Sequence, residues 1–112
     1  MADRPTEAEC QRTIIEAAMT LGYRVHHSRP AQSGKGWRTP IAGHAGFPDL
    51  VIVGHRHAFF IELKRKPNKL DDAQQGWLDA LQEAGLAAGV WWVPEEQQTL
   101  IDSLQRAAMR YP

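Results

Sequence analysis

Three residues stand where they could do chemistry together: Asp49, Glu62 and Lys64. They fall in Gly46-Phe47-Pro48-Asp49-Leu50-Val51-Ile52-Val53 and in Phe59-Phe60-Ile61-Glu62-Leu63-Lys64. Both runs are strongly apolar, and a carboxylate set beside an apolar core costs several kcal/mol unless a cation answers it. Nearby carboxylates either share a proton or bind a cation. Mg²⁺ is typically held by one or two carboxylates, waters and phosphate oxygens. A lysine beside such a pair can orient a water or offset charge developing on a phosphate. The bland alternative is an aspartate capping a strand start and a Glu–Lys surface pair.

Two strands must position these groups. Asp49 to Val53 and Ala58 to Lys64 read as strands separated by Gly54-His55-Arg56-His57. An antiparallel hairpin closed there pairs Val53 with Ala58, Ile52 with Phe59, Val51 with Phe60 and Leu50 with Ile61. Asp49 then meets Glu62, and Lys64, two residues on, shares their face. A one-residue bulge would break this register.

The remaining elements frame the hairpin. Thr6 to Leu21 reads as an amphipathic helix with Cys10, Ile14, Ala17, Ala18 and Leu21 at helical spacing. Thr6 and Glu9 form a capping box, and Gly22 fits a C-terminal cap. Tyr23 to His27 is a short strand, and Ser28 to Phe47 a long irregular segment. Leu70 to Ala84 is a second helix, begun near Asp71 or Asp72 and stopped by Gly85. Val90 to Val93 is a strand, and Pro94-Glu95-Glu96 opens a last helix with Leu100, Ile101, Leu104 and Ala108 as its apolar stripe. The order is α-β-β-β-α-β-α. A length of 112 residues makes one domain, 1–112, the expectation.

Composition narrows the class. No apolar run approaches a membrane span, and the polar, acidic start is no signal peptide. Cys10 is the only cysteine, so no intramolecular disulfide can form and a reducing cytosol is the simplest setting. The formal net charge is +0, but the charges are segregated. Between residues 22 and 69 lie Arg24, Arg29, Lys35, Arg38, Arg56, Lys64, Arg65, Lys66 and Lys69, and only two acids, Asp49 and Glu62. All five histidines are there too. Such a block suits a phosphate-bearing partner; the alternative is a set of solvated loop charges.

With these residues in view, the chain resembles a known family. Pro48-Asp49 followed by Glu62-Leu63-Lys64 matches the PD-(D/E)xK nuclease motif. Glu7-x-x-Cys10-Gln11, Gly46-x-Pro48-Asp49-Leu50, Ile61-Glu62-Leu63-Lys64 and Leu70-x-x-x-Gln74-x-x-Trp77 together look like the VRR-NUC branch. The resemblance runs from about Glu7 to Trp92. It implies an α/β, restriction-endonuclease-like α-β-β-β-α-β core with a mixed central sheet flanked by helices. It implies Mg²⁺- or Mn²⁺-dependent endonuclease cleavage of phosphodiester bonds. Asp49, Glu62, the Leu63 carbonyl and a first-helix glutamate would be metal ligands, and Lys64 would position or activate the nucleophilic water. Glu7 is the choice on the first helix, because the capping box already accounts for Glu9. Gln74 would bond to the site or to Lys64; its alternative is a surface helix glutamine. Stand-alone members, from phages and bacteria, are similar to Holliday-junction resolvases and tend to be homodimers. Branched or flapped DNA and a homodimer are therefore implied, in the cytoplasm, which is the host's if the protein is phage-encoded.

Other residues are weighed beside that reading. His27, Arg29, Lys35, Arg38, Arg65, Lys66 and Lys69 are the candidate nucleic-acid contacts. One of His26 and His27 must face inward. Lys35, Trp37 and Arg38 suit backbone contact with base stacking, or a loop whose tryptophan packs back. His55 and His57 read as turn histidines rather than a zinc pair. Trp77 and one of Trp91 and Trp92 read as core. A non-catalytic DNA-binding module on the same fold, or a nuclease acting on RNA, are the alternative functions.

Overall fold

A computed structural model describes residues 4–28, 31–33, 36–38 and 42–112, with the main chain alone for 31–33 and 36–38. The elements are α1 (Glu7–Thr20), β1 (Arg24–His27), β2 (Ala31–Ser33), β3 (Gly36–Arg38), β4 (Leu50–Gly54), β5 (His57–Lys64), α2 (Asp72–Glu83), β6 (Ala87–Trp92) and α3 (Gln97–Arg110). Four strands form a mixed sheet in the order β1-β4-β5-β6. β1–β4 and β4–β5 are antiparallel and β5–β6 is parallel, as a crossover through α2 requires. The expected α-β-β-β-α-β core with a mixed central sheet is therefore present, and α3 follows it.

The segment expected to be irregular, Ser28 to Phe47, is not wholly so. β2 and β3 pair antiparallel, with Ser33 opposite Gly36. They are separated in sequence by two residues, Gly34 and Lys35, which is hairpin spacing. Their polar, glycine-rich composition hides the alternation that marks a half-buried strand.

Strand alternation divides the sheet into two faces. Val25, His27, Leu50, Ile52, Phe59, Ile61, Leu63 and Trp91 share one face through the pairings His27–Leu50, Ile52–Phe59, Leu50–Ile61 and Leu63–Trp91. α1 and α3 cover this face. Cys10, Ile14 and Ala18, four residues apart on α1, pack with Leu50, Ile52, Ile61, Leu63, Val93, Leu100 and Leu104 into the core. Trp91 packs against that cluster. The second face carries Asp49, Val51, Val53, Ala58, Phe60, Glu62 and Lys64, and α2 covers its β5–β6 half.

The helix starts are locally encoded. Thr6 and Glu9 form the capping box of α1, and Asp71 and Gln74 form that of α2. α3 begins at Gln97, later than its sequence signature suggests, because Glu96 is engaged elsewhere. Its main-chain N–H donates to the Trp92 carbonyl, and its carboxylate accepts from the Trp92 N–H at 2.7 Å. Gln82 Nε2 donates to the Ala88 carbonyl. Side chains thus occupy outward-facing groups at both ends of edge strand β6.

The β4–β5 hairpin closes more tightly than expected. Gly54 pairs with His57, leaving His55 and Arg56 as a two-residue turn with φ of 49° and 66°, the left-handed pair of a type I′ connection. His55 Nδ1 lies 2.8 Å from the Tyr111 carbonyl and Nε2 lies 2.6 Å from the Leu21 carbonyl. Leu21 and Tyr111 are the C-caps of α1 and α3. The turn is thereby tied to the C-termini of both core helices. Tyr23, edge-on to His55, donates its buried hydroxyl to the Leu104 carbonyl at 2.7 Å. No helix among the described residues is long and apolar enough to cross a membrane.

Candidate active site

The register expected from the hairpin is the register found: Leu50–Ile61, Val51–Phe60, Ile52–Phe59 and Val53–Ala58. Asp49 sits one residue before β4, and its carboxylate Oδ2 accepts from the Leu63 N–H at 3.1 Å. The ladder to β1 runs one bond further, with Ser28 N–H donating to the Asp49 carbonyl. The Lys64 carbonyl points to β6, where it accepts from Val93 N–H. Alternation therefore aims the neighbouring Leu63 carbonyl the other way, toward Asp49.

Glu62 is the electrostatic anomaly of the molecule. It is 2% exposed and the sole charged residue type in the buried set among the described residues. Burial is the largest influence on its carboxyl, followed by the Asp49 charge and a hydrogen bond with Asp49; together they push it from 4.5 up to about 8, against the pull of Lys64. Glu7 is raised as well, first by burial and then by Asp49, while Lys64 and the Arg65 N–H oppose the rise. Glu7, Asp49, Glu62 and Lys64 thus sense one another although they come from three elements. Glu9 does not join them: it closes the α1 capping box with Thr6.

α2 supplies a further contact. Gln74 Nε2 donates to Glu62 Oε2 at 3.4 Å, while its Oε1 accepts from the Asp71 N–H at 3.0 Å. One side chain both caps the helix and reaches the buried carboxylate. Gly46 allows the approach. It has φ of +96°, and a Cβ there would fall 2.5 Å from the Ala73 carbonyl carbon and 2.8 Å from the Gln74 nitrogen.

The donor set is hard: carboxylate oxygens, with the Leu63 carbonyl directed toward them. Among the described residues, no group of three His, Cys, Asp or Glu side chains is gathered to hold a metal. A cation held by Asp49 and Glu62 would need main-chain, solvent or substrate oxygens to complete its shell. That fits Mg²⁺ or Mn²⁺ and not a closed zinc site.

The candidate nucleic-acid residues are more scattered. His27 pairs with Leu50 and lies on the core face; His26, paired with Val51, lies on the face of Asp49 and Glu62. The sequence could not make that choice, because it depends on the pairing of β1 with a strand some twenty residues away. Arg65 is half-buried and donates to the Pro5 carbonyl at 3.0 Å. Lys66 and Lys69 are exposed just beyond Lys64. Arg29 and Lys35 lie outside the described residues, as do the side chains of Trp37 and Arg38. Trp77 is not core: it is half-buried, donates to the His44 carbonyl at 3.2 Å and packs edge-on against Phe47.

Known proteins can now be set beside this arrangement. The model of the VRR-NUC domain family matches residues 37–95, more than half of the chain. The chain belongs to the VRR-NUC family. This places it in the PD-(D/E)xK superfamily and makes it a nuclease-type domain that acts on DNA. A solved structure described as a VRR_NUC domain is 23% identical, with 86% of this chain and 94% of that chain covered and a TM-score of 0.64. Another, a VRR_NUC domain protein, is 25% identical over 97% of this chain and 89% of its own, with a TM-score of 0.62. No curated protein matches the chain. The VRR-NUC match contains Asp49, Glu62, Lys64 and Gln74; α1 with Glu7 and β1 with His26 precede it.

Proposed function

We propose that this VRR-NUC chain is a metal-dependent DNA endonuclease, selective for branched, flapped or junction DNA and acting as a homodimer. The observation that carries the reading is Glu62, a carboxylate 2% exposed and set against Asp49 with Lys64 on the same face. Such a pair is costly in a structural role and useful around a cation. Asp49, Glu62 and the Leu63 carbonyl would hold Mg²⁺ or Mn²⁺, with Glu7 approaching from α1. When bound, the ion neutralises the paired carboxylates and polarises the scissile phosphate.

The chain's own groups account for the rest. Lys64 holds the attacking water by hydrogen bonding and offsets charge gathering on the phosphate. Water oxygen bonds to phosphorus as it gives up a proton to solvent, the bond to the leaving sugar oxygen breaks, and that oxygen takes up a proton from solvent. Gln74 fixes the orientation of Glu62. Lys66 and Lys69 follow directly on the lysine and suit phosphates flanking the scissile one. The homodimer and the preference for branched substrates are supported by the family likeness and not by particular residues.

Cleavage of labelled junction, flap and linear duplex at matched concentration, in Mg²⁺, Mn²⁺ and EDTA, tests the reading, alongside a mass measurement in solution. Binding without cutting in both metals would replace it with a non-catalytic DNA-binding module. Cutting of RNA alone in a parallel digest would move the substrate.

A further inference from the structure

α2 covers the β5–β6 half of the second face, and among the described residues no helix covers the β1–β4 half. Val53, on β4 beside the hairpin turn at the end of that half away from Asp49, is 45% exposed. Pairings Arg24–Val53 and His26–Val51, with the Ser28 N–H bonded to the Asp49 carbonyl, put Arg24, His26 and Ser28 along the rim of this open half. All three are exposed. Inside the rim lie Val51, Val53, Ala58 and Phe60, and Phe47 packs edge-on against Phe60 with 39% of its surface exposed. From β1 to β5 this face carries no carboxylate until Asp49 and Glu62 at the end of the hairpin.

We propose that this open half-sheet seats an unpaired, extended DNA strand that runs from the Asp49–Glu62 site along β1. Three arguments favour a single strand over another occupant. The rim carries one cation, Arg24, with polar His26 and Ser28 and no acid, while its floor is apolar and partly aromatic, the combination that tracks a backbone on one side and accepts sugars and bases on the other. Alternate residues on a strand stand about 6.7 Å apart, the scale on which successive phosphates repeat along an extended strand. The surface is continuous with the candidate active site through Ser28 and Asp49. The proposal rests on the nuclease reading and deepens it, since a strand unpaired next to the cut is what flaps and junctions offer.

The test is equilibrium binding in EDTA, where no cutting occurs, using fluorescent oligo-dT and a blunt duplex of equal length. Arg24→Ala with His26→Ala should weaken oligo-dT binding about tenfold at moderate salt. The pair should also reduce the slope of log affinity against log salt by about 0.7, the loss of one cationic phosphate contact, that of Arg24, on a single strand. Val53→Asp, an exposed substitution that leaves the core intact, should weaken it at least as much. Arg12→Ala, on α1, controls for overall charge and should change neither quantity. Unchanged affinity and slope in both the double variant and Val53→Asp overturn the proposal. So does equal loss on blunt duplex, or a change of solution mass that marks the face as a contact between copies of this chain. If the wild type binds oligo-dT in this way but never cuts DNA in Mg²⁺ or Mn²⁺, the nuclease reading fails and the track stands.

Discussion

Replacing Glu62 by glutamine should make the metal-free protein more stable at alkaline pH and unresponsive to Mg²⁺. In the fold the Glu62 carboxyl is pushed up to about 8 from 4.5. The native state therefore favours the protonated form. That contribution is full below the unfolded value and is lost as pH rises through the folded one. Linkage makes the loss about 3–4 kcal/mol between about pH 5 and pH 8 for this group alone. Glutamine does not titrate, keeps an acceptor for the Gln74 amide, and removes the like charge facing Asp49. At about 4 °C per kcal/mol for a chain of this size, the wild-type melting temperature should fall about 12 °C further than the variant's across that window. The assay is thermal melting in EDTA at a series of pH values, repeated with millimolar Mg²⁺. Added metal should restore the wild type at high pH by mass action and leave the variant where it was. Parallel pH curves for the two proteins, or equal stabilisation of both by Mg²⁺, would refute the reasoning.

Other expectations follow from the same geometry. Asp49→Ala and Lys64→Ala should each reduce cleavage of a branched substrate by at least about a hundredfold, the scale of losing one such group, while binding measured in EDTA persists; full activity in either would remove the assigned roles. Gly46→Ala drives a Cβ to 2.5 Å from the Ala73 main chain at a positive φ and should cost more than about 2 kcal/mol in chemical denaturation. Tyr23→Phe removes the buried hydroxyl's bond to the Leu104 carbonyl, which keeps its helical partner, and should cost about 1 kcal/mol by the same measurement; a neutral result would mean that the bond adds nothing net. Gln74→Ala should lower cleavage and destabilise α2 together, because one side chain serves both Asp71 and Glu62.

The hairpin register could be read from the chain because its turn is short and its strands adjoin in sequence. Four pairings counted outward from Gly54 and His57 hold. The Thr6–Glu9 capping box was legible for the same reason, being a local pattern with a fixed spacing; that of Asp71 and Gln74 emerges only in the fold. Distant pairings were not. Which of His26 and His27 shares the face of Asp49 depends on β1 meeting β4 across residues 28–49. β2 and β3 are three residues each and polar, too short to show a period. Trp77 looked like core because it is large and apolar, but α2 turns it outward to Phe47 and His44. The engagement of Glu96 and Gln82 with edge strand β6 leaves no mark in composition, since either could be an ordinary surface residue.

His55 gives the hairpin a mechanical character. Its ring bonds to the last turns of two helices that belong to the core, and it lies at the closed end, farthest from Asp49 and Glu62. The two strands form a beam held at both ends, because at the far end β5 runs on against β6 to Lys64 and Leu63 is fully buried. Asp49, bonded to the Leu63 N–H, and Glu62 are therefore presented on a stiff support. A cation would meet carboxylates already in place, with little left to order when it binds.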